Sequence, residues 1–258
     1  MARKWAKFPH AGKSYAYDAA ALKKTWARLH KGDCEPFPKD AGVLAAWRHF
    51  HAGEFGEAVD AGTAAGGAGI AAAVKAQVVY AQYLEKSDKA KLALLEEAVS
   101  LAQERRAAAA KDANAHYMYA FALGRYGQGI SVAKALTQGY GGKIKDALLT
   151  ALKLDAKHAD AYIAYGSYQA EVINKVGGLV AGMTYGAKKD SAIEHFAKAI
   201  KLNPESAIAR IEYANGLILL FGKGRIDDAT ALYEEAAATK PMDAMERLDV
   251  ELAKSELE

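Results

Sequence analysis

The sequence predicts an all-α fold: a superhelical array of about five helical hairpins, with elongated inserts in two of the repeats and terminal capping helices. Three observations carry this. Ala192-x3-Phe196-x2-Ala199-x4-Pro204 returns 37 residues later as Ala229-x3-Tyr233-x2-Ala236-x4-Pro241. A small residue lets two helices cross closely, an aromatic fills the gap to the next hairpin, and a proline ends the unit; such a phrase at a fixed period marks a stack of helix pairs. Helix formers dominate the composition, and only five of the 258 residues are proline. A stack of hairpins also grows to this length without one central core.

The elements follow in order. Residues 1–14 read as an irregular arm, and 15–31 as a helix with Tyr15, Ala19, Leu22, Trp26 and Leu29 at helical spacing. Gly32 is its expected stop, and Pro36 and Pro38 punctuate a connector. Val43, Leu44, Trp47 and Phe50 line the next helix, Gly53-Glu54-Phe55-Gly56 turns, and Ala58, Gly62 and Ala65 repeat the small-residue spacing. A second hairpin runs from Ile70 to about Arg106, turning near Ser87-Asp88. A third unit keeps the spacing at Ile144, Leu148 and Ala151. The fourth opens with Ala159-Asp160-Ala161-Tyr162, an echo of Ala113-Asn114-Ala115-His116 in the third. The expected organisation is a basic arm and helix (1–38), two degenerate hairpins (39–111), three repeats (112–157, 158–204 and 205–241) and an acidic capping helix (242–258), which an array end needs to stay soluble.

Charge is uneven although the net value is only +3, too small to argue for nucleic acid. Residues 1–31 hold eight bases and one acid; residues 225–258 hold four bases and ten acids. The ends are either solvated, or attract one another between copies and so allow self-association, or the basic end rests on an anionic surface. Cys34 is the lone cysteine and stands in a connector with no cue for activation. No apolar run reaches the roughly 20 residues of a membrane span, and no apolar signal core follows the basic N-terminus. The expectation is a soluble, cytoplasmic chain, on which a previously cleaved signal peptide would leave no trace.

Chemistry-bearing motifs are few. Gly139-Tyr140-Gly141-Gly142-Lys143-Ile144 lacks the strand, the four-residue spacing and the Ser or Thr of a phosphate loop, so it reads as a helix-ending turn, as does Gly222-Lys223-Gly224. His49 and His51 point to different helix faces, and His116, His158 and His195 have no His or Cys at i+3 or i+4. No metal site, cofactor or catalytic constellation is expected.

On the residues of the repeat phrase, the chain resembles the tetratricopeptide-repeat family. Gly166 matches the small residue of a first helix, and Ala192, Phe196, Ala199 and Pro204 match a second. Tyr213-Ala214 and Leu217, then Ala229, Tyr233, Ala236 and Pro241, match the next pair. The match spans 158–241 best, extends to 112–157 and fades before that. Units three and four depart from the family's 34-residue period, at about 45–48 residues. Their surplus segments resemble each other: Ile130-x5-Leu136-x2-Gly139-Tyr140-Gly141-x-Lys143 aligns with Ile173-x5-Leu179-x2-Gly182, then Tyr185-Gly186-x-Lys188. Elongated, glycine-bearing first helices ending in aromatic-Gly are similar to the repeat domain of the regulator-of-microtubule-dynamics family over roughly 112–204.

In the tetratricopeptide family the first helix of each hairpin faces a concave groove. That resemblance implies a groove floored by Tyr117, Phe121 and Arg125, then Ile163, Ser167 and Glu171, then Ile211, Asn215 and Ile218. The set lacks the lysines with which some relatives clamp a peptide carboxylate. The inserts, with Ile130, Leu136, Tyr140, Ile173, Leu179, Met183 and Tyr185, are read as a flap. Within them Val176–Met183, with the Gly178-x3-Gly182 pair, either packs closely against a neighbouring helix or closes over an apolar ligand or touches a membrane. The leading expectation is a non-catalytic scaffold holding a protein or peptide segment. The alternatives are a carrier for a lipid or other apolar molecule, and self-assembly through the basic head and acidic tail.

Overall fold

The computed structural model describes residues 3–10 and 15–258. The expected arm at 1–14 therefore lies partly outside the described residues. Among the described residues there is no strand. The helices are α1 (Ala19–Leu29), α2 (Ala41–Ala52), α3 (Phe55–Ala65), α4 (Gly69–Tyr83), α5 (Asp88–Ala108), α6 (Ala113–Gly129), α7 (Val132–Thr137), α8 (Tyr140–Leu154), α9 (Ala159–Val176), α10 (Gly178–Val180), α11 (Lys189–Leu202), α12 (Ala207–Phe221), α13 (Ile226–Ala237) and α14 (Ala244–Ser255), with a π-helical turn at Ala181–Tyr185.

The hairpins are α2–α3, α4–α5, α6–α8, α9–α11 and α12–α13, and each packs on the next. The first helices α2, α4, α6, α9 and α12 neighbour one another in that order along one face. α14 caps α12 and α13 and also reaches α2, so the last element touches the first hairpin. Tyr17 and α1 strengthen this closure: the Tyr17 hydroxyl donates to the Met242 carbonyl at 2.6 Å, and Arg28 pairs with Glu246 at 2.6 Å and with Glu205 at 2.8 Å.

Side chains set the helix starts. Asp18, Asp40, Asp112 and Asp243 each accept a backbone N–H from the first turn of α1, α2, α6 and α14; Ser87 and Ser206 do so for α5 and α12. The Asp18 cap is why α1 begins at Ala19 and not at Tyr15 as expected. Gly139, at φ 74°, corrects the expected helix-ending reading of 139–144: Tyr140–Lys143 form the first turn of α8. Cys34 also has positive φ (53°), and burial, followed by the charge of Asp155, pushes its thiol up to about 12.

The repeat phrase has a direct packing meaning. The ring of Phe196 on α11 is wedged between two glycines, one on each neighbouring first helix. A Cβ at Gly166 on α9 would lie 2.9 Å from the ring, and one at Gly216 on α12 would lie 2.5 Å from it. The degenerate first hairpin uses the same device without an aromatic. Gly62 on α3 and Gly69 on α4 face each other so closely that either Cβ would sit 2.6 Å from the other's carbonyl oxygen. Gly216→Ala should therefore cost about 1–3 kcal/mol by overpacking, and Phe196→Ala about 3–5 kcal/mol by emptying the slot. Urea unfolding of the two variants checks both; an unchanged midpoint for Gly216→Ala would show that the ring can shift freely.

Candidate functional site

The aligned first helices line a cleft of about 1100 Å³, counting the part open to solvent. Its inner wall is Val79 and Tyr83 of α4, Tyr117 and Phe121 of α6, Ile163 and Val172 of α9, and Ile208 of α12. The facing wall comes from the first insert and the helix that continues it: Val132, Ala135 and Leu136 of α7, then Gly141, Ile144 and Leu148 of α8. Gly141 makes the closure tight. A Cβ there would meet Leu136 at 2.8 Å and the Tyr185 ring at 3.1 Å.

One end of the cleft is polar. Arg125 donates to Glu212 at 2.6 Å and to the side-chain oxygen of Gln128 at 3.0 Å. Ser167 donates to the second oxygen of Glu212 at 2.8 Å, and the Gln128 amide donates to Glu171. Burial pushes Glu212 up, but Arg125 and the hydrogen bonds outweigh it and hold the carboxyl below its ordinary value. Glu171 has no such cation bonded to it; burial raises it, and the Gln128 bond only partly offsets the rise. Asn215, Ile218 and Leu219 continue this polar end along α12. Asn215 accepts from the Tyr233 hydroxyl at 2.6 Å.

A second polar system is buried behind the cleft. Lys75 on α4 donates to Asp33 at 2.6 Å, and His30 Nδ1 lies 2.9 Å from the other Asp33 oxygen. His30 Nε2 is 3.2 Å from His51 Nε2, and His51 Nδ1 is 2.7 Å from Asp243. The row Asp33–His30–His51–Asp243 sets two imidazoles between two carboxyls, and Lys75 meets it at the Asp33 end. Burial works against the Asp33 carboxylate, yet Lys75 and His30 hold it well below the usual range. Asp160, 4.0 Å from Lys75 and also on the cleft wall, is pushed up to about 6 by burial against the pull of that lysine. Glu35, bonded by Asn114, is pushed up to about 8 by burial and then by Asp33. Burial drives His30 and His158 down to about 4; a neutral His158 is what its Nδ1 needs to accept the Ala161 N–H and cap α9.

The family model for regulator of microtubule dynamics protein 1-3 matches residues 71–257. The chain belongs to the regulator-of-microtubule-dynamics family. The membership covers every residue of the cleft, and the resemblance noted over 112–204 widens to most of the chain. No individually curated protein matches.

Within this family fold, Tyr117, Phe121, Arg125, Ile163, Ser167 and Glu171 lie on the cleft wall, and Asn215 and Ile218 on its continuation. Ile211 does not: it is 2% exposed and packs in the α12–α13–α14 core with Leu217 and Tyr233. Its neighbour Glu212 faces the cleft instead. In the inserts, Leu136 lines the cleft and Tyr185 abuts Gly141, whereas Ile173 is core. Ile130 and Tyr140 are half-buried, Tyr140 beside Tyr126. Leu179 and Met183 are 78% and 82% exposed. Close packing of Val176–Met183 is therefore corrected: α9 stops at Val176, a Cβ at Gly178 would meet no packing partner within 4 Å, and only Ala181 of the segment is buried. Sequence reasoning missed Glu212, Gln128 and the Lys75 system. A lone lysine inside the apolar run Ala71–Tyr83 was the one signal for the last.

The titration of Glu35 has a defined sign. Unfolded, it releases its proton near 4.5; folded, near 8. Its stabilising contribution is complete below 4.5 and is lost as pH rises to about 8. Glu35→Gln should therefore gain stability relative to the parent progressively between those values. Denaturant titrations across the window check this, and a pH-independent difference would refute it. His30 and His158 act oppositely, their contribution being lost as pH falls from 6.5 to about 4.

Proposed function

We propose that this chain is a non-catalytic binding scaffold whose cleft holds a segment of a partner protein, anchored by apolar side chains and oriented by a basic one. The observation that carries this is the makeup of the cleft: an aromatic and aliphatic wall ending in carboxylates. Arg125 is committed to Glu212, while Glu171 is held only by a neutral amide. An additional cation on the ligand is thus favoured over an additional anion, and a buried apolar anchor supplies most of the affinity. The family's description, a regulator of microtubule dynamics, accords with a protein as the occupant. Arg125, Glu171 and Asn215 set the register.

Selection from a peptide-display library should enrich apolar segments bearing a Lys or Arg. Their affinity should fall at least about tenfold in Phe121→Ala plus Asn215→Ala, the loss of one good anchor. Enriched peptides that bind the double variant as well as the parent would mean that another surface is the site.

The apolar wall built by α7 favours a second reading, a carrier for a lipid or other apolar molecule. Native mass spectrometry of gently purified protein should then show a bound lipid; a clean apo mass counts against it. Self-assembly through head and tail has less support, because Arg28 and Glu246 pair within one chain.

A further inference from the structure

The two inserts have the same sequence pattern and opposite fates. In the first, Leu136 turns inward against the cleft. In the second, its counterpart Leu179 points into solvent, together with Val180 and Met183, which are 48% and 82% exposed. This is not a loose loop. Ala181 and Ala187 are buried at its base, the Ala187 N–H donates to the Ala181 carbonyl at 3.1 Å, and the Lys188 N–H donates to Gln169 at 3.2 Å. Gly177 and Gly186, both at positive φ, make the two reversals that hold the tip out. Burying three such side chains would remove them from water at no cost in reordering the base, so their exposure marks a surface built to meet something apolar.

The charge around the tip says what. No aspartate or glutamate occurs between Asp112 and Asp146, or between Glu171 and Asp190. The two inserts carry Lys134, Lys143 and Lys145, and Lys175 and Lys188, whereas Lys189 is taken up by the Leu220 carbonyl. The inserts are neighbours: Tyr185 abuts Gly141, and the Lys145 ammonium lies 3.1 Å from where a Cβ of Gly186 would be. An apolar wedge beside a lysine-rich surface, with Asp146 and Asp190 at its margins, is complementary to an anionic lipid bilayer, where the wedge enters the headgroup layer and the lysines meet the phosphates and carboxylates. We propose that the paired inserts form a peripheral docking surface for anionic membranes, with Leu179, Val180 and Met183 as the inserted tip. This goes beyond the cleft reading and does not depend on it.

Flotation of the full chain with phosphatidylcholine vesicles, with and without about 30% phosphatidylserine, tests the idea. Binding should require the anionic lipid and weaken steeply between about 0.05 M and 0.5 M salt. The tip and the charge ring have separate variants. Leu179→Asp plus Met183→Asp alters only exposed side chains and should abolish flotation with an unchanged unfolding midpoint. Lys134→Glu, Lys143→Glu and Lys175→Glu together should lower affinity at least about a hundredfold, since each lysine near an anionic surface contributes a factor of about five. The proposal is overturned if the parent ignores phosphatidylserine, if either variant floats as the parent does, or if the tip proves to join two copies, seen as dimers in the absence of vesicles that Leu179→Asp dissociates.

Discussion

Everything in this fold is arranged around a lysine that is not allowed to be alone. Lys75 stands in the middle of α4, buried, and an unpaired ammonium there would cost several kcal/mol. Asp33 from the connector after α1 pairs with it directly, and Asp160 at the start of α9 lies within reach. Through Asp33 the charge extends to His30, His51 and Asp243. Segments more than 200 residues apart in sequence thereby share one electrostatic balance. A stack of hairpins held only by nearest-neighbour packing could remain open at both ends. This one is drawn together, and the inner face of the array becomes a cleft with a closed back.

The cleft in turn depends on where small residues permit close approach. Gly166 and Gly216 admit Phe196, which fixes the spacing between α9 and α12 and so the distance across which Ser167 reaches Glu212. Gly141 admits Leu136 and Tyr185 and brings the first insert over the opposite wall. The repeat phrase and the site are thus linked by geometry: the same wedge that stacks the hairpins sets the span of the polar end.

The architecture was readable because its determinants are local and periodic. Ala192, Phe196 and Ala199 recur at helical spacing, whereas the Asp and Ser caps that set the helix starts, Asp18 above all, went unread. The candidate site was readable in part, because alignment of first helices transfers which positions face inward. It failed at Ile211, where one residue of register separates a core isoleucine from the cleft-facing Glu212; hydrophobicity points to the wrong one of the pair. The buried system was hidden because Asp33, His51 and Asp243 look like ordinary capping and surface residues until a distant lysine is placed beside them. Leu179 and Leu136 occupy equivalent places in a repeated pattern, and only the tertiary setting distinguishes a packed leucine from a displayed one.

The contact between the first hairpin and the last helix also bears on the order of assembly. In an open hairpin array each unit can settle as it leaves the ribosome, because its partners have already emerged. Here Lys75 meets Asp33 early, but His51 waits for Asp243, and Arg28 for Glu205 and Glu246. The buried His51 and the Arg28 guanidinium therefore gain these partners only once residues 205–246 have been made, so the closure of the first hairpin is a late contact in sequence terms.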